Sequence, residues 1–375
     1  MKILLQIPLS PFTGYGNDGI GLSRALMRWG CDVRISPTVV QPPLPEDISP
    51  LLTKPLEAPF DLIITHVDPA ALNSSEEQQR SATAVVGWTM WEYSTLDNLP
   101  GRSLFSKKTK YLDAIYAYDE VSAGAIRTRF KRPVPIVQGG FEPERWPEVE
   151  RDWNSDRFGF FMLGQLHERK DPFVAIEAFN ELKHEEPDFG PAELHLKTTV
   201  PGLHKAMEQV YDKLRIHYDV WPEEVQKIFY SKQHVLLSPS RGEGKNMPAL
   251  EFQSTGGIVI ATDWGGHQQW LHRDYALPLD YVLRPVSPEF PTALNARASV
   301  EDLKSKMLWA FRHRAEAKQM GHLAAQVIPK LCSWDSVVER FFQKLPEALP
   351  DGRGAQLQQL AMAAKWGDQN GHDRY

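Results

Sequence analysis

The sequence predicts an α/β chain of two consecutive doubly wound domains. Three observations carry that expectation. The chain has 375 residues, which suits two domains of roughly 150 to 200 residues. Apolar runs of strand length alternate with amphipathic helical stretches, the mark of parallel sheets flanked by helices. The alternation breaks once, at Gly139-Gly140-Phe141-Glu142-Pro143 and the Trp/Pro/charge-rich segment up to Asp156, and then restarts.

Composition narrows the class. Hydrophobic residues are 42% and charged residues 24%, a globular balance. No apolar run reaches the roughly 18 to 20 residues that span a bilayer. The opening MKILLQIPLS breaks at Pro8 and lacks a small-residue cleavage site, so it reads as a buried first strand rather than a signal peptide. The two cysteines, Cys31 and Cys332, lie far apart. They fit a reducing cytoplasm, and no Cys/His cluster has zinc spacing. The net charge of −6 argues against a general nucleic-acid binder.

In the first half, residues 3–7 (ILLQI) read as a strand buried on both faces. The run Gly14-Tyr15-Gly16-Asn17-Asp18-Gly19 has dinucleotide-fingerprint spacing, but six residues separate it from that strand. The next strand, Cys31 to Ile35, ends in Ser36-Pro37 rather than in an acid. The glycines read either as a turn opening a helix Ile20 to Trp29 or as a bare loop whose N–H groups approach a phosphate. The second reading is preferred. A strand Asp61 to Thr65 places His66 at its carboxyl edge, where open α/β sheets bind ligands. That His serves either structure or an acceptor. A strand Ala84 to Trp88 precedes Glu92, set among aromatics, which either orients an acceptor hydroxyl or caps a turn.

A strand Ala114 to Tyr118, a helix capped by Ser122 and reaching Phe130, and a strand Val134 to Val137 follow. From 102 to 132, eight Lys/Arg face three Asp/Glu. Such a run is a solvated face or a surface that steers an anionic partner.

The second half reads as strand Phe158 to Leu163, helix Asp171 to Leu182, strand Glu193 to Lys197 and a helix near Lys205 to Leu214. A helix Pro222 to Phe229, strand His234 to Leu237, helix Pro248 to Ser254 and strand Ile258 to Thr262 come next. Helices Val300 to His313 and Ala315 to Val327 and an ordered piece Ser333 to Lys344 close it. The expected domains are 1–145 and 146–330, a helix in 331–348 crossing back, and a mobile polar tail, 349–375.

Two motifs carry chemistry. Gly164-Gln165-Leu166-His167-Glu168-Arg169-Lys170-Asp171 sits between a strand and a helix. Cations are disfavoured at a helix start, so Arg169 and Lys170 there suggest a pyrophosphate; the Arg fork grips two oxygens at once. In Ser238-Pro-Ser-Arg-Gly-Glu-Gly-Lys-Asn-Met-Pro-Ala-Leu-Glu251, Gly242 and Gly244 keep a loop bare, and Pro248 opens a helix. That helix end suits a diphosphate or sugar hydroxyls. Glu243 and Glu251 are eight residues apart. One can accept ribose hydroxyls and the other sugar hydroxyls. As a pair they would also suit glycoside hydrolysis, where two carboxylates act as acid and base.

With these residues together, the chain resembles the GT-B glycosyltransferases, specifically the large retaining family 4 group, over residues 1 to about 346. The glycine loop, the Gly-Gly-Phe-Glu linker, the Arg-Lys pair, the Glu-x7-Glu loop and helix, and the Ser333-Trp334 helix carry the likeness. It implies a GT-B fold of two facing Rossmann-like domains with an interdomain cleft. It implies a nucleotide-diphosphate sugar donor, UDP- or GDP-hexose, and transfer with retention to an acceptor hydroxyl. By this likeness Arg169 and Lys170 neutralise the leaving diphosphate, Glu251 holds the ribose and Glu243 the sugar hydroxyls. Lys245, Asn246 and Met247 line the sugar with backbone groups. Gly14, Gly16, Gly164 and Gly244 let backbone approach the donor.

No permanently bound cofactor and no metal are expected. Three departures stand out: Glu-Gly-Lys-Asn-Met-Pro replaces the usual Glu-Gly-Phe-Gly-Leu-Pro, Gly-Gly-His-Gln-Gln replaces Gly-Gly-x-x-Glu, and Thr89 to Glu92 stand where many members carry a His. The acceptor is open among saccharide, lipid, protein and modified DNA base, as is peripheral contact with an anionic inner membrane face. The competing classes are a nucleotide-sugar-binding protein without transfer and a nucleotide-sugar epimerase.

Overall fold

The computed structural model describes residues 1–199 and 211–372, the last seven by backbone alone. It divides into two compact units. The first takes residues 1–141, a hairpin tip at Val286–Ala293, and the chain from Cys332 onward; the second takes Glu142–Pro285 and Leu294–Leu331.

The first unit is built on five strands: β1 (Lys2–Leu9), β2 (Asp32–Val40), β3 (Phe60–His66), β4 (Ala82–Thr89) and β5 (Ala114–Ala117). Their order is β2-β1-β3-β4-β5, and every neighbouring pair is parallel. The apolar runs form strands because both faces are covered: Ile3, Leu5, Ile7, Leu62, Ile63 and Ile64 are fully buried. Helix α1 (Gly14–Arg28) lays Ile20, Leu22, Ala25 and Leu26 into that core. Burying Ile20, Leu22 and Leu26 contributes about 1.5–3 kcal/mol each. Helix α2 (Glu120–Arg127) begins at Asp119, whose carboxylate accepts the Ser122 N–H at 2.9 Å. Asp119 therefore caps this helix, not Ser122; the Ser122 hydroxyl instead bonds Asp119 and the Trp91 carbonyl. Val134 to Val137 runs beside β5 without forming a regular strand: the Ala117 N–H donates to the Pro135 carbonyl at 2.9 Å and the Val137 N–H to the Ala117 carbonyl at 2.8 Å, around one parallel bridge, Ala117 to Ile136, and Pro133 and Pro135 have no N–H to extend the ladder.

The second unit has a six-stranded sheet. Its strands are β6 (Phe158–Gly164), β7 (Ala192–Thr198), β8 (Leu214–Tyr218), β9 (Val235–Ser238), β10 (Ile258–Thr262) and β11 (Leu277–Leu279), in the order β11-β10-β9-β6-β7-β8. Helices α3 (Pro172–Glu185), α4 (Glu223–Ser231) and α5 (Met247–Ser254) follow β6, β8 and β9. The reversal of strand order falls between β6 and β9, and both strands end in the loops that carry the two motifs. A crevice outside the carboxyl ends of strands at such a switch point is where these sheets bind ligands.

Three features differ from the sequence reading, and a fourth expectation falls mostly on residues outside the described ones. The edge strand β8 was not expected; its burial alternates, and only Leu214 and Ile216 are inward. Residues 281–298 form a hairpin, β12 (Tyr281–Ser287) with β13 (Phe290–Ala298), despite Pro285 and Pro291. Proline is tolerated because a two-stranded ribbon is all edge. Most of the helix expected near Lys205 to Leu214 lies outside the described residues; of its described end, 211–213 form a bend and turn and Leu214 opens β8. The tail is not loose over 353–365: helix α6 (Arg353–His372) buries Gly354, Leu357 and Ala361 on one face. Arg353 ties it to the Thr83 carbonyl at 2.8 Å and to Asp113 at 3.0 Å. Residues 373–375 lie outside the described residues.

Candidate functional site

The second unit gathers most of the expected donor-side residues at the ends of β6 and β9. Strand β6 ends on Gly164, whose φ of +138° only glycine adopts comfortably. The chain then makes one tight turn, Glu168–Lys170, before α3. Asp171 closes the turn in the left-handed region, at φ +50°. Its buried carboxylate holds it there: Arg241 Nε lies 2.7 Å away and Arg297 3.9 Å. The Arg241 N–H also donates to the Arg169 carbonyl at 2.8 Å. The loop after β9 thereby clasps the loop after β6, and the two cations are fixed from below.

Above that clasp lies the charge cluster. Lys170 Nζ sits 2.5 Å from Glu243 Oε1, and Arg169 Nη1 sits 3.3 Å from Oε2. Arg169 also donates to the Gly242 carbonyl. Glu243 is only 5% exposed. Burial pushes its carboxyl upward, but Lys170 and Arg169 outweigh that and hold it well below the usual carboxylate range. Two cations against one carboxylate leave the cluster one positive charge in excess. The expected roles separated these three residues; the structure joins them.

Glu251 is one turn into α5 and behaves oppositely. Burial raises its carboxyl to about 7, with Arg145 and Lys245 only partly offsetting it. Its Oε2 accepts from Gln226 Nε2 at 3.0 Å and Tyr230 Oη at 3.4 Å. These neutral donors cannot supply what Lys170 and Arg169 supply to Glu243.

Between the two acids the chain turns through Gly244, Lys245 and Asn246. The Gly265-Gly266 pair presses against this turn. A Cβ on Gly266 would stand 1.9 Å from the Gly244 carbonyl oxygen, and the Gly266 N–H donates to the Glu243 carbonyl at 2.8 Å. Trp270 Nε1 donates to the Lys245 carbonyl at 2.9 Å. Asn246, at φ +63°, is the residue before α5, and no side chain caps that helix. The Met247 backbone therefore leads a helix N-terminus that carries partial positive charge and no side-chain acceptor.

The first-unit candidates stand differently. Helix α1 starts at Gly14 itself, so the glycine run lies inside the first turns of the helix and not in a loop before it. The Gly16 N–H donates to Thr13 Oγ1 at 3.1 Å, and a Cβ there would meet the Ser10 carbonyl oxygen at 2.5 Å. Gly16 thus answers to packing and capping, and its amide is engaged. Gly14 is exposed, with open space where a Cβ would go.

His66 is fully buried. Its Nδ1 donates to the Trp88 carbonyl at 2.8 Å, and Nε2 lies 3.1 Å from Tyr118 Oη, which itself donates to Asp18 at 2.6 Å. In this state it is an internal tether and presents no face to an acceptor. Glu92 is half-buried and lies close enough to Tyr15 and Asp119 to raise the pKa of each. Much of the basic run is committed: Lys108, Lys131 and Arg132 donate to backbone carbonyls, and Arg127 and Arg129 pair with Glu120 and Asp97.

Sequence reasoning gave no role to His267, Ser238, Arg241, Tyr230 or Gln226. Ser238 and Arg241 lie inside the Glu243/Glu251 motif and His267 follows the Gly-Gly pair after β10, whereas Tyr230 and Gln226 left no signal. Among the described residues, no helix is long and apolar enough to cross a membrane.

Comparison with known proteins gives three findings. Residues 157–281 match the model of the family described as glycosyl transferases group 1. No curated protein matches the chain. Solved structures match nearly the whole of it. Sucrose-phosphate synthase from Thermosynechococcus elongatus superposes with a TM-score of 0.65 at 15% identity, covering 94% of this chain and 100% of that one. The catalytic domain of starch synthase IV from Arabidopsis thaliana, bound to ADP and acarbose, gives 0.61 at 12% identity over 93% and 99%. Anabaena HepE in complex with UDP and glucose gives 0.58 at 12% identity over 92% and 100%. The chain has the GT-B glycosyltransferase fold, and its residues 157–281 match the glycosyl transferases group 1 family.

Proposed function

We propose that the chain is a retaining glycosyltransferase that moves a hexose from a nucleoside-diphosphate sugar, UDP- or GDP-linked, to an acceptor hydroxyl. The observation that carries this reading is the joined cluster: Arg169 and Lys170, fixed over Asp171 and Arg241, beside the uncapped N-terminus of α5. In the reaction the bond from the anomeric carbon to the diphosphate oxygen breaks and a bond to the acceptor oxygen forms. The acceptor proton leaves with the diphosphate or to solvent. Negative charge grows on the departing diphosphate, and the fixed cations, with the positive end of the α5 dipole, stabilise it without reorganising. Glu243, held ionised, is placed to accept donor-sugar hydroxyls and keeps the two cations in register until diphosphate arrives. Glu251 is placed to accept the ribose diol, one turn along the same helix.

The family match over 157–281 supports transfer as the reaction class. HepE with UDP and glucose, and starch synthase IV with ADP, support a nucleoside diphosphate as the leaving group. The test is a thermal-shift panel of UDP-, GDP- and ADP-sugars against wild type and Arg169→Ala. One donor should raise the wild-type Tm and lose that effect in the variant. If no donor shifts the wild type, the reading fails.

A further inference from the structure

We propose that His267 is a positioning residue that sets the α5 N-terminus by locking Asn246 in its left-handed conformation. The inference rests on the functional reading only for what the helix end binds; the lock itself stands on geometry. An asparagine before a helix ordinarily sits in the extended region and turns its side chain onto the helix amides. Asn246 does neither. Its φ is +63°, and its side chain points away from the helix. Asn246 Nδ2 donates to His267 Nε2 at 3.0 Å and to Ser238 Oγ at 2.8 Å.

The histidine end is fixed in turn. His267 Nδ1 lies 2.8 Å from the Thr262 carbonyl, an acceptor only, so Nδ1 carries the proton and Nε2 offers its lone pair. His267 is 1% exposed, Asn246 8% and Ser238 4%. Burial also lowers the His267 pKa, which keeps the accepting nitrogen unprotonated. The Gly265-Gly266 turn is what allows the ring to reach beneath the loop.

The arrangement has a chemical consequence. A non-glycine residue at positive φ is strained, asparagine least among them. The two side-chain bonds offset that strain. They also withdraw the side chain that would otherwise cap α5, so no side chain occupies its start, while the Asn246 carbonyl accepts the Ala249 N–H at 3.0 Å and the Leu250 N–H at 3.4 Å and fixes the first turn. His267 itself lies within electrostatic reach of Glu243, Lys170 and Arg169.

The test is a cycle with Asn246→Gly, because glycine adopts the left-handed conformation unaided. In the wild-type background, His267→Ala should weaken nucleoside-diphosphate binding by calorimetry about tenfold. In the Asn246→Gly background the same substitution should change it less than twofold, although it leaves the same cavity. An equal loss in both backgrounds overturns the lock, since a merely structural histidine would cost the same in each.

Amide hydrogen exchange reads the lock with no ligand present. His267→Ala should speed exchange of amides 243–247 at least tenfold while those of β6 and β7 stay protected. Unchanged exchange overturns the inference. Should the wild type bind no nucleotide, the functional reading fails and exchange alone decides the lock.

Discussion

The turn from β1 into α1 and the turn from β9 into α5 are made of the same parts and do opposite things. Each has two glycines two residues apart and a small polar residue before the helix. At the first, Thr13 is extended and caps α1 through the Gly16 amide. At the second, Asn246 is left-handed, its side chain is drawn down to His267 and Ser238, and α5 has no side-chain cap. The first turn caps its own helix. The second leaves a helix start with no side-chain cap, at the end of the loop whose Glu243 pairs with Arg169 and Lys170. A glycine pair near a helix start thus says little by itself; what matters is where the capping side chain goes.

The largest expected effect comes from breaking the charged side of that contrast. Lys170→Ala leaves Glu243 buried with Arg169 as its remaining ion-pair partner among the described residues. Turnover should fall by about 10³-fold, and urea melts should show a loss of about 3 kcal/mol. Replacing both partners, as Lys170→Met/Glu243→Gln, should recover most of the stability and none of the turnover. Recovered turnover in that double variant would place the chemistry elsewhere.

Next comes Glu251. Its carboxyl goes from an ordinary value of 4.5 to about 7 in the folded chain, so between those values the folded state holds a proton that the unfolded state has lost. Stability is therefore greatest below 4.5 and falls as pH rises through about 7, by on the order of 3 kcal/mol. Glu251→Gln should flatten that slope in melts from pH 4.5 to 8, and should weaken nucleoside-diphosphate binding by about 1.5–3 kcal/mol. A slope that survives the substitution would assign it to another group.

A smaller effect is expected at the first turn. Gly16→Ala pushes a methyl toward the Ser10 backbone and should cost about 1–3 kcal/mol of stability. Lost donor affinity without lost stability would give Gly16 the phosphate role that its capped amide argues against. Smallest of all, Gly14→Ala meets open space and should stabilise α1 by about 0.5 kcal/mol.

Much of this was readable in advance, for a physical reason. Strands such as ILLQI and IVIAT are buried on both faces, so their apolar runs are unmistakable. The Arg169-Lys170 pair stood out because cations at a helix start run against the dipole. What escaped was whatever depends on only half a pattern. Strand β8 shows alternate residues to solvent, the hairpin carries prolines, and α6 packs through a glycine, one leucine and one alanine.

The sequence by itself determined the two-unit α/β alternation, the positions of both motif loops at strand ends, and the charged and glycine residues those loops carry. Only the tertiary structure decided what each charge does. Glu243 and Glu251 are the same residue eight positions apart, yet one is held ionised and the other near neutrality. That difference comes from partners brought in from distant segments, Lys170 and Arg169 for the first, Gln226 and Tyr230 for the second. Ionisation inside a protein is set by which groups share a burial site, and that is fixed only when the chain closes on itself.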